Sequence, residues 1–138
     1  EEFIKGQEGT VGVINDFRNK DFYVLPSVQI FIPKENFIFD KNLKESNFKI
    51  ACPGIFTEKE KEEIEYGAKT IHQKIGLDFY SKIDFIVHPK RGVYFIEVNS
   101  QSEFFENSFM VQSLESVGSN LGIFLDHIIS KALKKRPI

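Results

Sequence analysis

Two alternating segments, "KIDFIVH" and "VYFIEVN", flank the short stretch "PKRG" and constrain this chain more than any other feature. Alternation of apolar and polar residues marks a strand with one buried face, and the Pro-to-Gly stretch between the segments reads as a hairpin loop. With Pro89 to Gly92 as a four-residue loop, Lys82 faces Asn99, Asp84 faces Glu97, Ile86 faces Phe95 and His88 faces Val93. Cross-strand partners share a face of the sheet. The opposite face then carries Ile83, Phe85 and Val87 against Tyr94, Ile96 and Val98, an apolar layer suited to receive a helix. A slip of one residue would drive the acids into that layer, so the register is pinned.

The polar face of this hairpin is unusual chemically. Asp84 and Glu97 oppose each other directly, with β-carbons on the order of 5 Å apart, where like charges repel. Such a pair persists if one acid keeps its proton or if a cation sits between them. Asn99 adds an amide oxygen to the same face. Two carboxylates and an amide are hard oxygen ligands, suited to Mg²⁺ bound to substrate phosphates rather than to zinc. Lys82, opposite Asn99, could add positive charge for an anion beside the metal. The same spacing also fits a hydrated outer face on which Lys82 merely screens the acids. On spacing alone both readings stand.

Upstream, "EEFI" and "GTVGVI" read as short strands around a "KGQE" turn, and "NDFRNKD" as a polar turn. "FYVLPSVQIFI" resumes strand character, with Pro26 marking an edge or bulge and Pro33 closing the run. "NFIFD" is a further short strand and "KNLKESN" a loop, so the first third reads as an antiparallel meander. The period then changes. "TEKE" fits a capping box on Thr57, after which Ile64, Ala68, Ile71 and Ile75 fall on one helical face and Gly76 supplies a stop. A helix started by Asn107 and ended by Gly118 follows the hairpin. A last helix turns Leu121, Phe124, Leu125, Ile128, Ile129 and Ala132 inward. This order predicts an α+β fold, a mostly antiparallel sheet with helices packed on one face, in a single domain over residues 1–138.

Composition excludes several classes. The chain is 41% hydrophobic and 28% charged, which argues for a folded globular domain, and its net charge of -2 gives no grip on a nucleic-acid backbone. No apolar run approaches the length needed to span a bilayer, and the single Cys52 can form no internal disulfide, which fits a cytoplasmic protein. His72, His88 and His127 show no ligand spacing and read as structural or solvated, with His72 on the polar side of its helix. Of Phe104 and Phe105, one is expected in the core and one at a pocket rim.

The hairpin resembles that of the ATP-grasp ligases, in particular the C-terminal part of the D-alanine–D-alanine ligases. "EEFIKGQEGTVGV" is similar to that family's strand over adenine and ribose, "LPSVQI" to the next strand, "IFDKNLK" to its phosphate-side loop and "CPGIFTEKEKEEI" to a helix entry. The resemblance implies ATP and Mg²⁺ as cofactors, with Mn²⁺ as a substitute, and Asp84, Glu97 and Asn99 as metal ligands. It makes Glu1, Phe3 and Ile4 the adenine-side hinge and Glu8 the ribose acceptor. Lys44 becomes the phosphate-loop lysine if counted from Asp40, or Asn42 takes that place if counted back from Cys52. Lys82 falls where the family has an arginine that stabilises the transferring phosphoryl group, and Ser108 matches a serine that holds the acceptor's carboxylate.

The implied reaction is transfer of a phosphoryl group from ATP to a carboxylate, then attack of an amine on the acyl phosphate. The implied substrate is a small amino-acid or dipeptide-type molecule, with a homodimer as a further partner and neither nucleic acid nor membrane. One departure bears on the substrate: where these ligases run through a Pro-Gly turn, this chain has Ser102 and Glu103. "NSQSEFFENS" is also similar to ligases that join amino acids to a carrier protein's terminal glutamate, and Glu103 would suit a cationic or amine-bearing acceptor. The chain lacks the family's glycine-rich loop and its lysine, so its expected role is the Mg-ATP half of a site that is inactive in isolation.

Overall fold

A computed structural model describes residues 1–32 and 49–135. The strands β1 (Gln7–Phe17), β2 (Lys20–Val24), β3 (Val28–Phe31), β4 (Lys49–Ala51), β5 (Tyr80–His88) and β6 (Gly92–Asn99) form one sheet with antiparallel pairing throughout. The described helices are α1 (Glu58–Ile75), α2 (Phe109–Ser116) and α3 (Leu121–Lys134). The α+β class is as expected. The "NFIFD" strand, the "KNLKESN" loop, Pro33, Asn42 and Lys44 lie outside the described residues.

The first third is not a meander. β1 is a continuous central strand: β5 pairs along one edge, while β2 and β3 divide the other, giving the order β4-β3-β1-β5-β6 with β2 beside β1. Pro26 causes the division, because it cannot donate to a ladder. Leu25 still donates to the Gly12 carbonyl at 2.8 Å, and the Pro26 carbonyl accepts from Ser113 Oγ of α2 at 2.7 Å. The expected "EEFI" strand and "KGQE" turn are also corrected. Residues 1–5 carry no regular structure, and Gln7 and Glu8 already belong to β1.

The hairpin keeps its expected register where the polar residues lie: Lys82 pairs with Asn99, Ile83 with Val98 and Asp84 with Glu97. Beyond Asp84 a bulge shifts the ladder by one, so that Phe85 pairs with Phe95, Val87 with Val93 and His88 with Gly92. The loop is therefore one residue shorter than expected. Gly92 adopts φ 86°, a left-handed value that costs glycine little. The His88 ring accepts from the amides of Lys90 and Arg91 at 3.0 and 3.1 Å, which fixes the tight turn. The bulge absorbs Ile96, left 45% exposed, and the layer beneath α1 is Val93, Phe95 and Val98 rather than Tyr94, Ile96 and Val98.

The helices do not pack on one face as expected but divide between the two faces of the sheet, because both sides of β1 carry apolar residues. Strand alternation sends Val11, Val13, Ile83, Phe85 and Val87 to one side, where Ile64 and Ala68 of α1 cover them. Ile14 and Leu25 meet Met110, Leu114 and Phe124 of α2 and α3 on the other. Gly12 permits this second layer, since a Cβ there would lie 2.7 Å from Met110 Sδ. The capping box on α1 is present: Glu60 N–H donates to Thr57 Oγ1 at 3.2 Å and Thr57 N–H to Glu60 Oε2 at 2.9 Å. Gly76 closes the helix at φ 78°.

Other expectations change. α2 is capped by Ser108, not Asn107, whose φ of 66° places it in the preceding turn. On α3 only Phe124 is fully buried, with Leu121 and Ile128 packed beside it. Leu125, Ile129 and Ala132 are exposed, because one narrow line of the helix meets the sheet. On α1 the buried line ends at His72, while Ile75 is exposed. His72 is fully buried, not solvated, because its ring nitrogens find partners in Ser81 Oγ at 2.7 Å and Asn15 Oδ1. Asn15 in turn donates to the Leu77 carbonyl at 3.1 Å.

Two measurements check this packing. Burial holds the His72 ring below its usual pKa, partly offset by the Leu77 carbonyl. A depressed histidine contributes stability that is complete above the unfolded pKa, about 6.5, and lost as pH falls towards the folded one. Urea unfolding between pH 7.5 and pH 5.5 (about one unit either side of that value) should show stability falling in the wild type and falling less in His72→Gln. A built Cβ at Gly67 would lie 2.2 Å from the Phe95 ring. Gly67→Ala should therefore lower stability by about 1–3 kcal/mol, overpacking outweighing the ~1 kcal/mol that alanine gains in a helix.

Candidate functional site

On the face opposite α1 the strand ladders set the side chains in rows. Thr10 on β1, Asp84 on β5 and Glu97 on β6 form one row, and Gly12, Lys82 and Asn99 form the next. Glu8, paired with Ile86, stands diagonally from Asp84 on the same face. Five of the residues marked by the sequence, Glu8, Lys82, Asp84, Glu97 and Asn99, thus converge on one patch. Met110, near the start of α2, lies over Gly12 at the β1 end of the Lys82–Asn99 row.

The electrostatics are one-sided. Lys82 Nζ donates to Asp84 Oδ1 at 2.7 Å, with the lysine side chain 14% exposed and the aspartate 37%. Burial, and then the Asp84 carboxylate, push the Glu8 carboxyl above its ordinary pKa. Glu97 is exposed. Asn99 Oδ1 accepts from the Gln101 amide at 2.8 Å, which orients its oxygen and leaves a second lone pair. Two opposed carboxylates and an oriented amide oxygen fit a hard divalent cation, and Asp84, Glu97 and Asn99 are the residues that could hold one.

Ser108 is buried at the N-terminus of α2, its Oγ accepting from the Val111 amide at 3.4 Å. Glu1 and Phe3 are exposed and Ile4 half-buried in the lead-in to β1. Lys44 lies outside the described residues. The two phenylalanines separate: Phe104 packs between Tyr80 and Phe124, with centroids at 5.3 and 5.2 Å, while Phe105 is 57% exposed. Sequence reasoning missed Thr10, a buried hydroxyl that donates to the Ile83 carbonyl at 3.3 Å beside the acids. Its place in the alternation of β1 was the available signal.

Such a face, one sheet surface offering opposed acids, an amide and a lysine beside a helix start, has the donor chemistry that could hold a metal-bound anion. Residues 1–130 match the family described as D-ala D-ala ligase C-terminus, and the chain belongs to that family. It is 28% identical over 138 residues to a D-alanine–D-alanine ligase of Desulfotalea psychrophila, covering 98% of this chain and 42% of that protein. Among solved structures it resembles D-alanyl-alanine synthetase A of Vibrio cholerae, with a TM-score of 0.82, 24% identity and coverage of 98% of this chain and 41% of that one. It also resembles a D-alanine–D-alanine ligase of Bacillus anthracis complexed with ATP, with a TM-score of 0.77, 21% identity and coverage of 97% and 40%. The chain spans about two fifths of the length of these relatives. Among the described residues no helix is long and apolar enough to cross a membrane.

The coupling between Glu8 and Asp84 is measurable. In Asp84→Asn the Glu8 carboxyl should titrate at lower pH than in the wild type while staying above the ordinary glutamate range, since burial remains. Carbon-13 NMR of the side-chain carboxyls reads this directly.

Proposed function

We propose that this chain supplies the nucleotide and metal half of an ADP-forming carboxylate–amine ligase of the D-alanine–D-alanine ligase type. The observation that carries this reading is the direct pairing of Asp84 with Glu97, one row from Lys82 and Asn99, in a member of that ligase family. The relatives' names state the ligation of D-alanine, and one of them is a complex with ATP.

Asp84, Glu97 and Asn99 would hold Mg²⁺, or Mn²⁺ in its place, and when bound the metal neutralises charge on the phosphate oxygens. Lys82 brings its ammonium to the same face and stabilises charge that develops as a phosphoryl group passes from ATP to a carboxylate. Unlike an arginine it does so as a compact point charge without a planar fork. Glu8 accepts a ribose hydroxyl, and Glu1, Phe3 and Ile4 border the adenine. Ser108 bears on the acceptor's carboxylate through the helix start that it caps. By the resemblance, the phosphate-side loop contributes Lys44, or Asn42 in its place. An amine then displaces phosphate from the acyl phosphate to form an amide. Such a reaction fits a cytoplasmic protein, since ATP and free amino acids meet there, and a small amino-acid substrate; a homodimer belongs to the same proposal.

A second reading concerns the acceptor alone. Ser102 is buried with its backbone against the Tyr80 hydroxyl, and Phe104 is wedged into the core. Glu103 is pinned between these two anchors, just past Asn99. A carboxylate held there favours an acceptor that carries a second cationic group over D-alanine.

In the intact protein, ADP release should require Mg²⁺, a carboxylate and an amine together. Asp84→Asn and Glu97→Gln should each reduce it by at least ~10²-fold while leaving the circular dichroism spectrum unchanged. Unfolding of either variant would mean that the acids are structural. An amine panel with and without a second cationic group decides the acceptor.

A further inference from the structure

The patch holds three carboxylates, Glu8, Asp84 and Glu97, and Lys82 brings an ammonium among them. Opposed strands force Asp84 and Glu97 together, and nothing in the ladder lets them separate. Lys82 does more than neighbour them. Its side chain is held in against the sheet at 14% exposure, with the ammonium 2.7 Å from Asp84 Oδ1, where it occupies one of the oxygens that a divalent cation would use.

We propose that Lys82 is a built-in counter-ion for the Asp84–Glu97 pair, holding the cation position until a divalent metal takes it, and that its release frees the ammonium for an anion alongside. The inference rests on the reading of this face as a metal-nucleotide site. Its physical basis is competition between a monovalent and a divalent cation for the same oxygens. Lys82 offsets one of the pair's two negative charges in the free protein, through Asp84, and gives way to a cation of higher charge. A lysine suits this exchange because its flexible stem lets one point charge serve two positions, whereas a guanidinium forked onto a carboxylate is held in one geometry. The anion site is consequently weak until metal arrives, so metal and nucleotide bind with positive coupling.

The test is Mn²⁺ binding to the intact protein without nucleotide, followed by electron paramagnetic resonance. Lys82→Met should bind Mn²⁺ on the order of tenfold more tightly than the wild type, since one unit charge within a few ångströms has been removed from a half-exposed site. Asp84→Asn should bind it more weakly. If Lys82→Met binds equally or less tightly while Asp84→Asn still weakens binding, the metal site stands and the counter-ion role is overturned. If neither the wild type nor Lys82→Met binds Mn²⁺, the metal reading fails and this inference with it. The wild type gives an independent measure: adding Mg²⁺ should raise the rate at which an acetylating reagent labels Lys82, read by mass spectrometry. An unchanged or lower rate overturns the exchange.

Discussion

The structure depends on the clamping of β5 between β1 and β6. β5 is paired along both edges, so each of its residues has fixed neighbours: Asp84 has Thr10 and Glu97, and Lys82 has Gly12 and Asn99. Its odd positions, Ser81, Ile83, Phe85 and Val87, are almost fully buried, and this anchors the strand against sliding. A slip by one residue would bury Asp84 and Lys82 and expose that apolar line. Desolvating a charge that has no partner costs far more than exposing any one of those apolar side chains, so the polar face is held in place by the apolar one.

The two helical layers follow from the same strand alternation but serve different ends. α1 caps the apolar face and its last buried residue, His72, joins β5 through Ser81 and β1 through Asn15. α2 and α3 cover one end of the other face, leaving the rows of Asp84 and Lys82 beside the start of α2. His127 of α3 reaches the Asn15 backbone carbonyl at 2.8 Å, so one residue of the central strand is gripped from both layers. The ion pairs from Lys131 of α3 to Asp16 and from Lys135 to Asp78 add little to this, since both carboxylates are open to solvent. What makes the polar face available for chemistry is that the second layer stops at Gly12.

Much of this was legible in the sequence, for identifiable reasons. The capping box on Thr57, the stop at Gly76, the two strands around the loop and the opposition of Asp84 to Glu97 all depend on short-range spacing, which sequence displays directly. The errors arose where a residue's surroundings come from elsewhere in the chain. His72 looked to lie on the polar side of its helix because its partners Ser81 and Asn15 lie on different strands, which helix periodicity does not display. Leu125 and Ile129 looked buried because periodicity shows an apolar stripe without showing how much of it a neighbour covers. The one-residue shift beyond Asp84 came from Gly92 and the His88 ring, which made the loop tighter than its four residues suggested.

By itself, then, the sequence determined the class of the fold, the hairpin, and the row in which two acids face one another, because alternation and turn chemistry are local properties of the chain. Tertiary structure alone decided that Glu8 from a distant strand joins those acids, that Lys82 spends its charge on Asp84, and that Ser108 caps a helix above them. The physical reason is that burial and charge partners are set by which strands become neighbours, and β1 and β5 meet although some seventy residues of chain separate Thr10 from Asp84.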